Sequence, residues 1–246
     1  MRRKNLKNGS CDCVVYCYLH RFHGQMICYK GDFGDCEKLS VREQREISKK
    51  ILEDGFLEFF GEKLLWENVI VGEHGKPKYA KEGRFFNISH CHDGVAVALA
   101  GVPVGVDMEG SRRVKALTVR KCMDGKEKAY IGEISGENLS DGQMRRFFHL
   151  WTLKESYVKM TGEGIRMPLD QICFSLEGEP ENVRKDSVGE RRILYAENRV
   201  AAPWQKSSVS CLLPVPDHAL ALTLGWEGNM QPKVTYSFSD AVPKAR

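Results

Sequence analysis

One stretch of this chain, FFHLWTLKESYVKM over 147–160, is apolar around almost its whole circumference. Read as a helix from about Gln143 to Met160, it carries Phe147, Phe148, Leu150, Leu153, Tyr157, Val158 and Met160 on nearly every side. A helix without a wet face must be enclosed by other layers, which demands a fold with sheets or helices packed around it. Yet the same stretch holds Lys154, Glu155 and Lys159, and Trp151, Glu155 and Lys159 form one stripe at helical spacing. A solvated Glu–Lys pair there would contribute only ~0.3–0.5 kcal/mol. Enclosed charges need partners with strong fields. This segment by itself leaves an ordinary salt bridge and a ligand-binding role equally open.

The rest of the pattern supplies the layers. Residues 11–19 alternate as a strand, and SVREQREISKKILEDGFLEFFG from Ser40 reads as a helix. Ser40 with Glu43 makes a capping box, Val41, Ile47, Ile51, Leu52, Phe56 and Phe59 form the apolar face, and Gly55 interrupts it at a cost. ENVIVGEHGKPKYA reads as strand, turn and extended segment, and RFFNIS, GVAVALAG and VPVGVDMEG as further strands. A helix is expected over about 114–128, a polar loop over 132–142, and strands near 171–176, 192–195, 208–213 and 218–224. Each half offers one long helix and several strands, so the expected class is α+β with two similar lobes. The expected boundaries are 1–104 and 105–228, with 229–246 a loosely held tail.

Composition excludes more than it selects. With 246 residues the chain can bury a core, and 42% hydrophobic against 28% charged residues rules out wholesale disorder. A formal net charge of +4 favours an acidic partner or a phosphorylated ligand without singling out nucleic acid. No run approaches the ~20 apolar residues of a spanning helix, and the N-terminus carries no signal-peptide pattern. The nine cysteines are odd in number and scattered, which argues against a disulfide framework and for a reducing, cytoplasmic setting. Cys11, Cys13 and Cys17, with His20, His23, Cys28 and Cys36 following, match no paired zinc spacing. Cysteines buried on one strand face are the expectation there.

Four short segments could carry chemistry. In GVDMEG a strand would turn Asp107 and Glu109 to one face, and two neighbouring carboxylates repel unless a cation separates them. Hard oxygen donors of this kind suit Mg²⁺ shared with substrate phosphates. FNISHCHDG offers Ser89 and His90 in a bend where a hydroxyl and an imidazole could grip a phosphate, with His92 read as an ordinary surface histidine. HGKPKYA sets Lys76 and Lys78 beside a rigid Gly–Pro turn. SRRVKALTVRK, residues 111–121, gathers five cations.

Taken in order, GKPKY, FNISH, GVDME and WTLKESYVK resemble the motifs of the 4′-phosphopantetheinyl transferases of the large, pseudo-dimeric type. The motifs span residues 75–159. That resemblance implies two α+β lobes related by a pseudo-two-fold, each a small, mainly antiparallel sheet on a long helix, with the active site in the cleft between them. It implies transfer of the phosphopantetheine arm of coenzyme A to a serine hydroxyl of an apo acyl or peptidyl carrier protein, with adenosine 3′,5′-bisphosphate as the other product. By position, Asp107, Glu109 and Glu155 would hold Mg²⁺ and Lys159 would contact the diphosphate. Ser89 and His90 would hold the 3′-phosphate, and Gly75, Lys76 and Pro77 would lie near the adenine nucleotide. Glu155 is the first candidate for the base that takes the serine proton and Glu127 the second.

The carrier, acidic around its modified serine, could dock on 111–121. Two internal lobes would make a monomer self-sufficient, and neither nucleic acid nor membrane is an expected partner. Cys91 stands where members of that family often have serine, and the basic residues of the N-terminal lobe carry no motif, Arg42 and Arg45 being guesses. Two other classes remain: a metal-dependent nucleotide or diphosphate hydrolase, and a non-catalytic module binding acidic partners through 111–121.

Overall fold

The computed structural model describes residues 12–19, 38–110, 112–176, 193–215, 217–227 and 232–239. Strand β1 (Asp12–Leu19) leads to helix α1 (Val41–Gly55), the small hairpin of β2 (Val69–Val71) and β3 (Pro77–Tyr79), then β4 (Phe85–Cys91), β5 (Gly94–Ala100) and β6 (Val104–Gly110). Helices α2 (Ala116–Cys122), α3 (Gly125–Ile131) and α4 (Asp141–Thr161) follow. Strands β7 (Ile172–Leu176), β8 (Leu194–Val200), β9 (Ser208–Leu213), β10 (His218–Gly225) and β11 (Lys233–Ser239) complete the chain.

Two larger sheets result, ordered β11-β1-β5-β4 and β6-β10-β9-β8-β7. Every pairing in them is antiparallel except β1 with β11. The first sheet contains a strand–helix–hairpin unit, β1-α1-β4-β5, in which the last strand lies beside the first. The second contains the same unit, with α4 after β6 and β10 beside β6. The class is therefore mixed α and β.

Strand alternation decides the layering. On β5, which is buried throughout, Val95, Val97 and Leu99 pack with Ile47, Ile51 and Leu52 of α1. Ala96, Ala98 and Ala100 face the other way, against Leu220, Leu222 and Leu224 of β10. On β10 the alternate residues Ala219 and Ala221 meet α4, whose Phe147, Leu150, Leu153 and Tyr157 lie in the same core. The layers thus run α1, first sheet, second sheet, α4. The enclosure anticipated for the helix at 147–160 comes from β6, β10, β7, β9 and α3.

Local signals explain the element ends. Ser40 and Glu43 form the capping box of α1. Gly55 is needed by packing: a Cβ there would lie 2.7 Å from Leu99 Cδ1 and 3.0 Å from Tyr16 Cε2, so the glycine lets α1 settle on the sheet. The helix expected over 114–128 is two helices. It breaks because Asp124 turns out as an N-cap, accepting from the Glu127 amide while Glu127 reaches back to the Asp124 amide. The tail expected over 229–246 contains β11, which extends the first sheet in parallel with β1, Asp12 opposite Lys233 and Val15 opposite Tyr236. The boundary at 228 therefore does not mark the end of the packed sheets. Of the cysteines weighed for zinc, Cys13 and Cys17 are buried on one face of β1, between the sheets. Cys11, His20, His23, Cys28 and Cys36 lie outside the described residues.

Candidate active site

The site begins with the alternation of β6. Val104, Val106 and Met108 enter the core between the sheets, which turns Gly105, Asp107 and Glu109 toward α4. Gly105 fixes how close that helix comes. A Cβ at Gly105 would fall 1.9 Å from the Ser156 carbonyl oxygen and 2.4 Å from the Met160 amide nitrogen. Helix backbone therefore lies directly on strand backbone, between Glu155 and Lys159 and two residues from Asp107. Buried hydroxyls continue the seam, Ser156 Oγ meeting Thr223 Oγ1 at 2.8 Å and Thr223 meeting Ser210 Oγ at 2.9 Å.

The free edge of β6 is served by side chains of β4. Asn87 Oδ1 accepts from the Val106 amide at 2.8 Å, and Ser89 Oγ accepts from the Met108 amide at 3.1 Å. FNIS thus ties the two sheets together, a role sequence reasoning missed, since side-chain-to-strand pairing between sheets leaves no periodic signal. Ser89 Oγ also donates to Asp107 Oδ1 at 2.9 Å and accepts from Lys159 Nζ at 3.0 Å. Lys159 Nζ lies 2.6 Å from that same carboxylate oxygen.

Asp107 Oδ2, by contrast, is buried with no hydrogen-bond partner among the described residues. A buried carboxylate oxygen left bare is costly unless something positive completes it. Glu155, half-buried on the facing helix, has its carboxyl raised above the ordinary range, chiefly by burial and then by the charge of Asp107. Lys159 partly offsets that shift and Glu109 adds to it. Three mutually repelling carboxylates with one bare oxygen are a donor set that fits a hard divalent cation.

The fit is not a closed cage. Among the described residues, the candidate ligand atoms gathered within 4.8 Å of one another belong to Cys91, Asp93 and His218 and to Asp124, Glu127 and Cys173. The Asp107, Glu109 and Glu155 oxygens do not form such a group. Lys159 occupies one Asp107 oxygen, and Arg112 holds Glu109 at 3.0 Å while lying over the Phe148 ring.

Cations line the same region. The Gly75 turn, with φ of 80°, folds the β2–β3 hairpin so that half-buried Lys76 donates to the Val104 carbonyl at 3.0 Å and to the Lys159 carbonyl. Burial, with Lys159 nearby, pushes the Lys76 ammonium down to about 8. Pro77, the first residue of β3, is exposed. His90 sits on the strand face opposite Ser89, lowered by burial and by the charges of Lys159 and Arg45. Arg45 therefore belongs with the site electrostatically, whereas Arg42 pairs with Glu46 at 2.9 Å in solvent.

Glu127 does not join them. Its side chain is fully buried, one oxygen accepting from the Phe174 amide at 2.9 Å and the other from Lys154 Nζ at 2.6 Å and the Asp124 amide at 2.9 Å. Lys154 also donates to the carbonyls of Leu169 and Ile172 at 2.8 and 2.7 Å. The pair pins α3 to α4 and to β7, and its full burial keeps the carboxylate away from a substrate. The second candidate for the base is thereby corrected to a structural role, and the buried Lys154 of the opening segment is accounted for.

Residues 112–121 divide similarly. Arg112 is committed to Glu109, while Arg113, Lys115, Arg120 and Lys121 are exposed around Leu117, which is 55% exposed at the start of α2.

Comparison with known proteins bears on this geometry. Residues 103–222 match the family model described as the 4′-phosphopantetheinyl transferase superfamily. The chain is 31% identical over 131 residues to the 4′-phosphopantetheinyl transferase gsp of Aneurinibacillus migulanus, covering 52% of this chain and 53% of that protein. It is 33% identical over 105 residues to the 4′-phosphopantetheinyl transferase Sfp of Bacillus subtilis (strain 168), covering 42% and 45%. It is 34% identical over 134 residues to a phosphopantetheinyl transferase of Thraustochytrium, covering 48% and 46%. The matched stretch spans about half the length of these relatives. No helix among the described residues is long and apolar enough to cross a membrane.

Proposed function

We propose, on the premise that residues 103–222 are a segment of the 4′-phosphopantetheinyl transferase superfamily, that this protein transfers the 4′-phosphopantetheine arm of coenzyme A to a serine hydroxyl of an apo carrier protein. The observation that carries the reading is the Asp107 carboxylate, one oxygen bound by Lys159 at 2.6 Å and the other buried and bare. Asp107, Glu109 and Glu155 hold Mg²⁺ in this reading, the first two brought by β6 and the third by α4. When bound, the ion supplies positive charge against the diphosphate oxygens.

The chain's own groups do the rest. Lys159 swings from Asp107 to the diphosphate, an exchange eased because Ser89 also donates to that carboxylate. Lys76 holds the end of α4 in place through the Val104 and Lys159 carbonyls and adds charge beside Lys159. Arg45 supplies positive charge for the 3′-phosphate and His90, held toward its neutral form, donates a ring N–H to it, while Ser89 acts as a positioning residue for Asp107 and Lys159. Gly75 and Pro77 shape the hairpin beside the nucleotide. Glu155, half-buried on α4 beside Asp107 and Lys159, is the carboxylate placed to accept the serine proton. The reaction displaces a diphosphate-linked leaving group, so positioning and charge neutralisation carry most of the catalysis.

The matching strand–helix–hairpin units support a pseudo-two-fold between the lobes and a monomeric enzyme. Arg113, Lys115, Arg120 and Lys121 around Leu117 form the surface for an acidic carrier. A cytoplasmic location accords with the free cysteines among the described residues. The test is the intact mass of an apo carrier domain incubated with coenzyme A and Mg²⁺, which gains one phosphopantetheine. Glu155→Gln abolishes the gain with the thermal transition unchanged. Full transfer by that variant, or release of phosphopantetheine from coenzyme A without a carrier, overturns the assignment.

A further inference from the structure

The turn that joins β4 to β5 carries side chains the proposed reaction does not use. Cys91, His92 and Asp93 sit on it, and His218 at the start of β10 faces them from the other sheet. Asp93, only 4% exposed, is the centre of the group. Its Oδ1 lies 2.9 Å from His218 Nε2, 3.3 Å from His92 Nε2 and 3.3 Å from Cys91 Sγ. The Cys91, Asp93 and His218 atoms all fall within 4.8 Å of one another.

Those separations are close to the edges of a small coordination polyhedron. With the usual zinc bond lengths, a tetrahedral ion sets nitrogen and oxygen ligands ~3.3 Å apart and sulfur and oxygen ligands ~3.5 Å apart. Small side-chain shifts would therefore seat an ion among the Cys91, Asp93 and His218 atoms, which already lie within 4.8 Å of one another. The set is mixed, with sulfur, imidazole nitrogen and a carboxylate oxygen, which suits a borderline-soft transition ion and not Mg²⁺.

The surroundings are arranged for it. The Cys91 carbonyl accepts from Gln44 Nε2 at 2.8 Å and the His92 carbonyl from the Leu39 amide at 2.9 Å, so the turn is anchored to the start of α1. Gly110, directly opposite His218 across the β6–β10 pair, makes room: a Cβ there would lie 2.3 Å from His92 Cε1. The two imidazoles stack with centroids 6.3 Å apart. The His218 and Asp93 side chains are only 7% and 6% exposed, whereas the His92 side chain is 26% exposed and offers the way in. The other sulfur-containing cluster among the described residues, Asp124, Glu127 and Cys173, already holds the Lys154 ammonium on Glu127.

We infer that Cys91, Asp93 and His218, with His92 turning in as the fourth ligand, form a Zn²⁺ site that staples the β4–β5 turn of the first sheet to β10 of the second. The Cys91 thiol releases its proton to solvent as the sulfur binds, and His92, 3.3 Å from Asp93, fills the fourth position once its ring turns toward the ion, which leaves no open position and makes the site structural. The ion sits at the end of β6, one residue beyond Glu109, and holds the seam between the lobes on which the carboxylate strand rests.

The test uses the full chain stripped with chelator, then titrated with Co²⁺ and Zn²⁺ in excess Mg²⁺, which occupies the carboxylate site. One equivalent of Co²⁺ should give the intense near-ultraviolet thiolate-to-cobalt band together with tetrahedral visible bands, and one equivalent of Zn²⁺ should erase both. Cys91→Ser should lose the thiolate band, His218→Gln should weaken Zn²⁺ at least tenfold, and Cys173→Ser should change neither. Zinc should raise the melting temperature of the parent and not of Cys91→Ser. Absence of a thiolate band in the folded parent, or a band that persists in Cys91→Ser, overturns the site. So does zinc stabilisation that is unchanged in both ligand variants. Transfer activity is not the readout, so this outcome is separate from that of the proposed reaction.

Discussion

Gly105→Ala tests the geometry on which the active-site reading stands. The added methyl group would start 1.9 Å from the Ser156 carbonyl oxygen and 2.4 Å from the Met160 amide nitrogen, both backbone atoms that no rotamer change can move aside. Reaching ordinary contact at 3.4 Å requires about 1.5 Å of separation between β6 and α4. Overpacking of this kind costs ~1–3 kcal/mol. For a domain of this size that lowers the melting temperature by roughly 2–12 °C. Activity should fall further than stability, because Glu155 and Lys159 flank the displaced turn and must reach Asp107. A misplacement of ~1 Å can cost on the order of 100-fold in rate. Urea unfolding and carrier-transfer kinetics on the same preparation measure both quantities. A variant with unchanged midpoint and unchanged turnover would refute the close strand–helix contact and the argument built on it.

Two further outcomes follow from the same framework. Lys154→Met should leave the Glu127 carboxylate buried and unpaired, costing ~3–5 kcal/mol and lowering the melting temperature by on the order of 10 °C. The double variant with Glu127→Gln should recover a large part of that loss, and a single variant as stable as the parent would contradict the buried pair. Lys76, depressed to about 8 from an ordinary 10.5, binds fewer protons folded than unfolded between those values. Its penalty is thus fully present below pH 8, and stability rises with pH across that window. A bound diphosphate would restore the proton, so coenzyme A affinity should weaken above pH 8, and Lys76→Gln should flatten that dependence in calorimetric titrations.

Much of the site was legible because its residues sit at fixed spacing on regular elements. Period-two alternation on β6 put Asp107 and Glu109 on one face, and helical spacing put Glu155 and Lys159 on one stripe. The capping box at Ser40 was equally local, as was the burial of Cys13 and Cys17. The D-x-x-E box that splits 114–128 carried a signal too, but helical periodicity on both sides masked it. Glu127 was misassigned because a carboxylate in a basic segment looks the same in sequence whether it meets solvent, a substrate or Lys154.

The order of residues by itself determined most of the elements, the faces of β6 and α4, and the donor types available to a cation and a phosphate. What it could not carry were relations between segments far apart in the chain. Those include the contact of Gly105 with Ser156 and the use of Asn87 and Ser89 to pair the free edge of β6. They also include β11 joining β1 and Asp93 meeting His218. Each depends on which surfaces remain unburied after the local elements have formed. That choice is made by packing and by satisfying buried polar atoms across the two sheets, so only the folded chain records it.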